Sequence, residues 1–419
     1  MKRVLMVAFH FPPLAGSSGI QRTLRFVQHL PTSGWQPLVL TVRPQAYERT
    51  SSDLDAQVPA SVVVRHAFAL DTARQLSVGG RYPAALARPD RWMSWRFDGV
   101  REGLRMVREF QPDALWSTYP IATAHIIGAE LQRRTGLPWI ADFRDPMAQE
   151  GYPADPKTWA AFSAIEARAA RSARRLCFTT PSAAAIYRQR YPEAADRMTV
   201  LENGFDEDSF ATAQDAPGSS GPLEPGRLTL LHSGTIYPAE RDPTQLIAAL
   251  AQLKNHYPAL ARRLRIRFRA AVHDELLRSL AVRHGVEELI EVLPPVGYGE
   301  ALAEMLRADA LLVLQASNCN EQVPAKIYEY LRAGRPIVCL SDPQGDTCEV
   351  LRGVGVTGHA QLDDAAAIAA LLGRFAAGDL SGLSATPDSV AAASRAARSV
   401  QLAGLLDACT PRAAAGAAR

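Results

Sequence analysis

Two stretches of the 419-residue chain carry side chains whose types and spacing could do chemistry. The run Asn320–Val338 sets Glu321 and Glu329 eight positions apart, with Lys326 between them. A carboxylate accepts hydrogen bonds from paired sugar hydroxyls, and an ammonium neutralises a phosphate. Pro324 suits a first helical turn, Gly334 suits a helix end, and Pro336-Ile337-Val338 opens a strand. The same residues would also make an ordinary surface Lys–Glu pair on an amphipathic helix. The second stretch is the loop Pro12–Gly19, between a short apolar run and a helical pattern. Gly16 and Gly19 would let the backbone approach an anion, and a helix start offers free N–H groups. The loop is neither GxGxxG nor a Walker loop, so a plain strand-to-helix turn accounts for it equally well.

The elements that must position these residues alternate between strand and helix. Strands are expected at 3–9, 36–42, 113–117, 138–142, 175–180 and 198–202. Helices are expected at 19–31, 121–134 and 156–174. Residues 44–110 break the rhythm, with a weak strand at 62–67 and a helix near 96–110, and read as an elaboration of the first domain. Residues 211–226 are rich in Pro, Gly and Ser and read as a linker. A second series follows, with strands near 227–233, 264–271, 288–293, 308–315 and 336–340, then a long helix at 386–408 and a frayed tail, PRAAAGAAR. The pattern is that of two doubly wound α/β domains facing a cleft.

Composition narrows the function classes. With 47% hydrophobic and 21% charged residues the chain is globular rather than disordered. The net charge of +3 hides an asymmetry: residues 1–205 hold 26 basic and 18 acidic side chains, and the remainder 20 and 25. Five scattered Cys without a CxxC pair point to neither a disulfide framework nor a zinc site, and fit a reducing cytoplasm. The Lys2-Arg3 start lacks the apolar length and cleavage site of a signal peptide. No apolar stretch approaches the ~20 residues that span a bilayer.

The segment from Glu321 to Val338 resembles the Glu-x7-Glu signature of retaining glycosyltransferases of the GT-B fold, the family 4 or group 1 enzymes. Other stretches agree in order along the chain. Phe11-Pro12-Pro13 with Gly19 and Arg22 resembles the family's first strand–loop–helix unit. Asp142-Phe143-Arg144-Asp145-Pro146 resembles a motif of the polysaccharide-synthesis subgroup. Glu202–Asp206 resembles the turn before the interdomain linker, and His232–Tyr237 with Arg241 the opening loop of the donor domain.

The resemblance implies an acceptor-side domain at 1–210, a linker at 211–226, a donor domain at 227–384, and a helix at 385–408 crossing back to the first domain. It implies transfer of a sugar from a nucleoside-diphosphate sugar to a hydroxyl of a glycan or lipid-linked acceptor, with retention, in cell-surface polysaccharide or lipopolysaccharide synthesis. Glu329 matches the residue that binds the ribose, Glu321 the residue that contacts the donor sugar, and Arg241 a diphosphate contact. Lys326 is a second phosphate contact, and Gly16, Gly19 and Gly234 bring backbone to the donor. Many relatives carry a His after the strand matching 138–142, where this chain has Arg144-Asp145; the candidates for a general base are Asp145 and then His125. The early donor-loop position where many relatives have Arg holds Thr235 and Tyr237. A cationic cradle, with no DxD motif at the expected kind of position, implies no metal and no other cofactor.

Residues 74–108 hold eight Arg and three acids, interleaved with Tyr82, Trp92, Trp95 and Phe97. That composition suits peripheral binding to an anionic membrane at the inner face of the cell membrane, or else a solvated helix with its Trp residues in the core. No nucleic-acid motif accompanies it. The rival functions are a GT-B-fold sugar-nucleotide 2-epimerase, which should carry acid/base carboxylates and His in both domains, and a non-catalytic relative.

Overall fold

The computed structural model describes residues 1–410 apart from 18, 53, 217 and 219. The tail PRAAAGAAR and Ser18 of the first loop therefore lie outside the described residues. The chain divides into two compact units: Met1–Asn203 with the segment from Arg395 onward, and Gly204–Ser394.

The first unit contains β1 (Lys2–Val7), α1 (Gly19–His29), β2 (Trp35–Val42), β3 (Val63–Ala67), α2 (Thr72–Gln75), α3 (Trp95–Phe110) and β4 (Ala114–Thr118). It continues with α4 (Thr123–Thr135), β5 (Trp139–Arg144), α5 (Pro156–Ser172), β6 (Arg175–Phe178), α6 (Pro181–Arg190) and β7 (Met198–Val200). The seven strands form one parallel sheet in the order β3-β2-β1-β4-β5-β6-β7. Strand β4 is buried at every position, because a parallel sheet is covered on both faces. Asp155 caps α5 by accepting from the Thr158 N–H, and Thr180 caps α6 in the same way, each with a proline at the helix start.

The second unit contains α7 (Glu207–Asp215), β8 (Leu228–Ser233), α8 (Thr244–His256), α9 (Pro258–Ala261), β9 (Leu264–Arg269), α10 (Asp274–His284) and β10 (Ile290–Leu293). Then come α11 (Tyr298–Arg307), β11 (Ala310–Leu314), α12 (Lys326–Ala333), β12 (Ile337–Leu340), α13 (Asp346–Gly353), β13 (His359–Ala360), α14 (Ala365–Ala377) and α15 (Pro387–Ala392). Its six parallel strands run β10-β9-β8-β11-β12-β13. Helix α16 (Arg395–Cys409) belongs to the first unit. There Leu402 and Leu406 are buried with Phe26 and Trp35, and Asp407 accepts from Trp35 Nε1 at 2.8 Å.

Strand order reverses between β1 and β4 in one sheet and between β8 and β11 in the other. In doubly wound sheets ligands bind beyond the carboxyl ends of the strands at such a switch point. The loops there are residues 8–17 in the first unit, and 234–243 and 315–325 in the second.

Two expectations need correction. Residues 211–226 do not form the junction: the chain passes between units at 203–204 and 394–395, and residues 211–215 complete α7. The long helix at 386–408 is two helices, broken at residues 393–394 where the chain changes units. Residues 44–110 lie in the first unit, where β3 pairs with β2 and α3 packs on α4.

Candidate functional site

In the second unit the chemistry gathers at the β8–β11 switch point. The His232 ring is fully buried at the end of β8. Its Nδ1 lies 3.0 Å from the Leu312 carbonyl. A carbonyl can only accept, so Nδ1 carries the proton and Nε2 is left as an acceptor. Burial, with the Lys326 and Arg241 cations beside it, holds the His232 pKa well below the ordinary imidazole value.

That acceptor meets Lys326, the first residue of α12, whose Nζ donates to His232 Nε2 at 3.1 Å. Burial and then the Arg241 charge pull the Lys326 ammonium down to about 7, with Glu329 opposing. Gly234 follows β8 at φ +117°, and a Cβ there would stand 3.3 Å from Lys326 Nζ. Both the backbone angle and the close approach call for glycine. Arg241 is held by its donation to the Thr235 carbonyl at 2.9 Å and lies over the Tyr237 ring at 5.0 Å. Glu329 accepts from the Tyr298 hydroxyl at 2.8 Å. The buried Tyr330 hydroxyl accepts from the Ser233 N–H at 3.0 Å, tying α12 to the end of β8.

Glu321 is exposed in the turn before α12. Gln315 fixes that turn, donating from Nε2 to the carbonyls of Cys319 at 2.6 Å and Gln322 at 2.8 Å. A cavity of about 420 Å³ opens at the same sheet edge. Its lining includes Asp242, Asp342 and Asp363, a set of charges that repels a phosphate.

In the first unit the loop after β1 brings His10, Ser17 and Gly19 together. Ser17 Oγ accepts from the Gly19 N–H at 3.2 Å and is 2.9 Å from His10 Nδ1. Gly16 is exposed at φ +78°. Burial and the Arg144 charge lower His10 to about 4, so the ring is neutral at physiological pH. Asp142 is fully buried and receives a two-pronged bond from Arg22, at 2.9 and 2.7 Å, and a third from Thr118. Asp145 is exposed beside it, with the Thr179 hydroxyl 3.4 Å from its Oδ1.

Thus Gly234, Arg241, Lys326 and Glu329 gather at one edge of the second sheet, with Glu321 on the adjoining turn. Gly16, Gly19 and Asp145 lie at the carboxyl edge of the first. The expectation for His125 fails. The residue is 0% exposed inside α4, its ring lies 4.6 Å from that of Phe143, and Ser117 Oγ is 2.8 Å from its Nδ1. A base sealed in an apolar core reaches no substrate, and burial lowers its pKa to about 4. Sequence reasoning did not single out His232 and His10, which the structure places against Lys326 and Ser17. Each sits one position beyond an apolar run, and nothing in the sequence shows what its ring touches.

Among the described residues no group of three or more His, Cys, Asp or Glu is placed to hold a metal, and no helix is long and apolar enough to cross a membrane.

Two doubly wound parallel sheets make this a two-domain α/β protein, and its likeness to the solved structures below gives the fold as GT-B. Residues 18–204 match the family described as a glycosyl transferase 4-like domain. Comparison with curated proteins finds no match of significance. Among solved structures, HepE of Anabaena in complex with UDP is 14% identical over 97% of this chain and 100% of that chain, with a TM-score of 0.65. Sucrose-phosphate synthase of Thermosynechococcus elongatus is 12% identical over 97% and 99%, with a TM-score of 0.63. The apo structure of OtsA is 12% identical over 98% and 100%, with a TM-score of 0.62.

Proposed function

We propose that the protein is a retaining glycosyltransferase that moves a sugar from a nucleoside-diphosphate sugar to a hydroxyl acceptor, in cell-surface polysaccharide or lipopolysaccharide synthesis. The observation that carries this reading is the Lys326–His232 pair: an ammonium donated to a neutral imidazole, beside Arg241 and a glycine. An ammonium so placed gains most when an anion arrives.

Breaking the bond from an anomeric carbon to a nucleoside diphosphate leaves negative charge on the leaving phosphate. Lys326, Arg241 and the backbone around Gly234 stabilise that charge where it develops. Such preorganised groups contribute on the order of 3–4 kcal/mol each. The reaction then needs no metal or other cofactor. Glu329 binds the ribose hydroxyls and Glu321 the donor sugar. On the first unit the glycine loop carrying Gly16 and Gly19 adds backbone contacts to the donor, and Asp145 is the candidate to take the acceptor proton.

The acceptor is a glycan or lipid-linked hydroxyl, and we place the enzyme in the cytoplasm, peripheral to an anionic membrane through α3. Trp95 is buried and Trp92 donates to the Ala46 carbonyl, so neither serves as an interfacial anchor. The groove beside α3, about 500 Å³, is instead lined by Arg96, Arg101, Arg108 and the 67%-exposed Phe97, with Arg134 and Arg168 paired to Glu130 in the same lining.

The test is nucleoside diphosphate release from a panel of nucleotide sugars, with and without membranes. Uridine donors come first, since HepE was crystallised with UDP and with UDP-glucose. Release that depends on acceptor and is lost in Lys326→Ala supports the proposal. No turnover of any donor, together with no nucleotide binding, removes it.

A further inference from the structure

Two guanidiniums stand at the carboxyl edge of the first sheet, and their circumstances differ. Arg22 is neutralised by Asp142 and also donates to the carbonyls of Leu201 and Glu202. Arg144 has no carboxylate at ion-pair distance among the described residues. Its one hydrogen bond there is a long donation from Nη1 to the Tyr119 carbonyl, at 3.4 Å, and its buried Nε has no partner.

The backbone presents this side chain in an unusual way. Arg144 lies at φ +64°, where the register of β5 against β6 slips. Long side chains rarely adopt that conformation, and such outliers cluster at binding sites. The guanidinium reaches the glycine loop. A Cβ on Gly19 would stand 2.9 Å from Arg144 Nη1 and 2.5 Å from His10 Nδ1. Gly19 is therefore required for space, and any other residue would displace one of the two side chains. His10 adds a hydrogen-bonding ring without adding charge, and Arg144 remains partly exposed.

We propose that Arg144, with His10 and the Gly19 backbone, forms an oxyanion site in the first unit that takes one phosphate or carboxylate group of a substrate. The planar fork of Arg suits either group. This rests on the glycosyltransferase reading only for the source of the anion, which is either the donor diphosphate or an acidic acceptor.

The test uses the full chain carrying Lys326→Ala and Arg241→Ala, which removes both cations of the second-unit site, and titrates it with inorganic pyrophosphate by calorimetry. Adding Arg144→Gly should weaken binding at least tenfold. It should also raise the thermal midpoint, by about 2 °C, because the left-handed strain and the unpaired cation are both removed. Arg144→Asn, which tolerates the same backbone, should behave alike. Less than a twofold change in pyrophosphate affinity in both variants, or a midpoint lowered by more than about 5 °C in both, overturns the site. The calorimetric readout needs no turnover, so its failure is separate from failure of the glycosyltransferase reading. In the otherwise unaltered enzyme, Arg144→Gly weakening UDP would make the donor diphosphate the source. Unchanged UDP affinity with a raised KM for acidic but not neutral acceptors would make it the acceptor. If neither changes, the site is refuted.

Discussion

The Lys326 ammonium makes a quantitative demand on donor binding. Its pKa is near 7, against an ordinary value of 10.5. That gap corresponds to about 5 kcal/mol between the protonation states. A diphosphate needs the charged form, so the free protein must first hold the proton. At pH 7 about half of the free protein does so, and at pH 9 about one part in a hundred. Affinity for a nucleoside diphosphate should therefore fall about 50-fold between pH 7 and 9. The fall persists over that range only if the bound state keeps its proton. One phosphate charge about 4 Å away contributes about 4 kcal/mol at an effective dielectric of 20, which returns the bound pKa to about 10. Calorimetry with UDP in buffers of different ionisation enthalpy should then find uptake of about 0.9 proton at pH 8. Lys326→Arg holds its charge throughout and should abolish both the slope and the uptake. Wild-type affinity that is flat from pH 7 to 9, with no proton uptake, would refute the reasoning, because it would mean that Lys326 does not meet the phosphates.

The same residue sets a stability test. Between pH 7 and 10.5 the unfolded chain holds the Lys326 proton and the folded chain does not, so this group's cost is largest below pH 7 and shrinks as pH rises. Lys326→Met should exceed wild type in stability by a few kcal/mol at pH 6, with the gap closing by about half at pH 9 in denaturant titrations. Gly234→Ala forces a side chain into φ +117° and against Nζ at 3.3 Å, and should weaken UDP binding at least tenfold at pH 7 in calorimetry. Asp142→Asn leaves the buried Arg22 charge without its partner and should cost about 3–5 kcal/mol, read as a lowered urea midpoint. His125→Phe keeps a ring against Phe143 and should leave kcat/KM for donor and acceptor within about twofold of wild type; a hundredfold loss would restore His125 as a base.

The alternation of apolar runs and helical spacings located the strands to within a few residues, because a buried parallel strand must be apolar through its whole length. Strand β11 shows this, with Ala310–Leu314 buried at every position. The Glu321–Glu329 run was legible in part: Gly334, at φ +66°, ends the helix as its position suggests, whereas Pro324 precedes the cap residue Ala325 instead of sitting in the first turn. The unit boundary was not legible. Pro, Gly and Ser at 211–226 report chain that needs no core, which a surface loop inside one domain satisfies as well as a linker does. The break between α15 and α16 was hidden because Ala393-Ser394-Arg395 is compatible with helix, and only the change of unit requires the chain to turn.

Charge was the least legible property, and the reason is physical. The sequence counts charges, whereas function depends on which of them already have partners. Of the eight arginines in 74–108, Arg88 pairs with Asp155, Arg91 with Glu48 and Asp71, Arg101 with Asp98, and Arg105 with Glu102. Half of those arginines are thus engaged within the unit before any membrane is met. The opposite holds in the second half of the chain, where acids outnumber bases by 25 to 20. There Lys326 faces a neutral imidazole instead of a carboxylate, and Arg241 donates to a backbone carbonyl. A net-negative domain can therefore present a positive site, because an anion is drawn to cations whose charge has not been answered locally. On the same grounds Arg144, rather than the more fully bonded Arg22, is the guanidinium of the first sheet to test for a ligand.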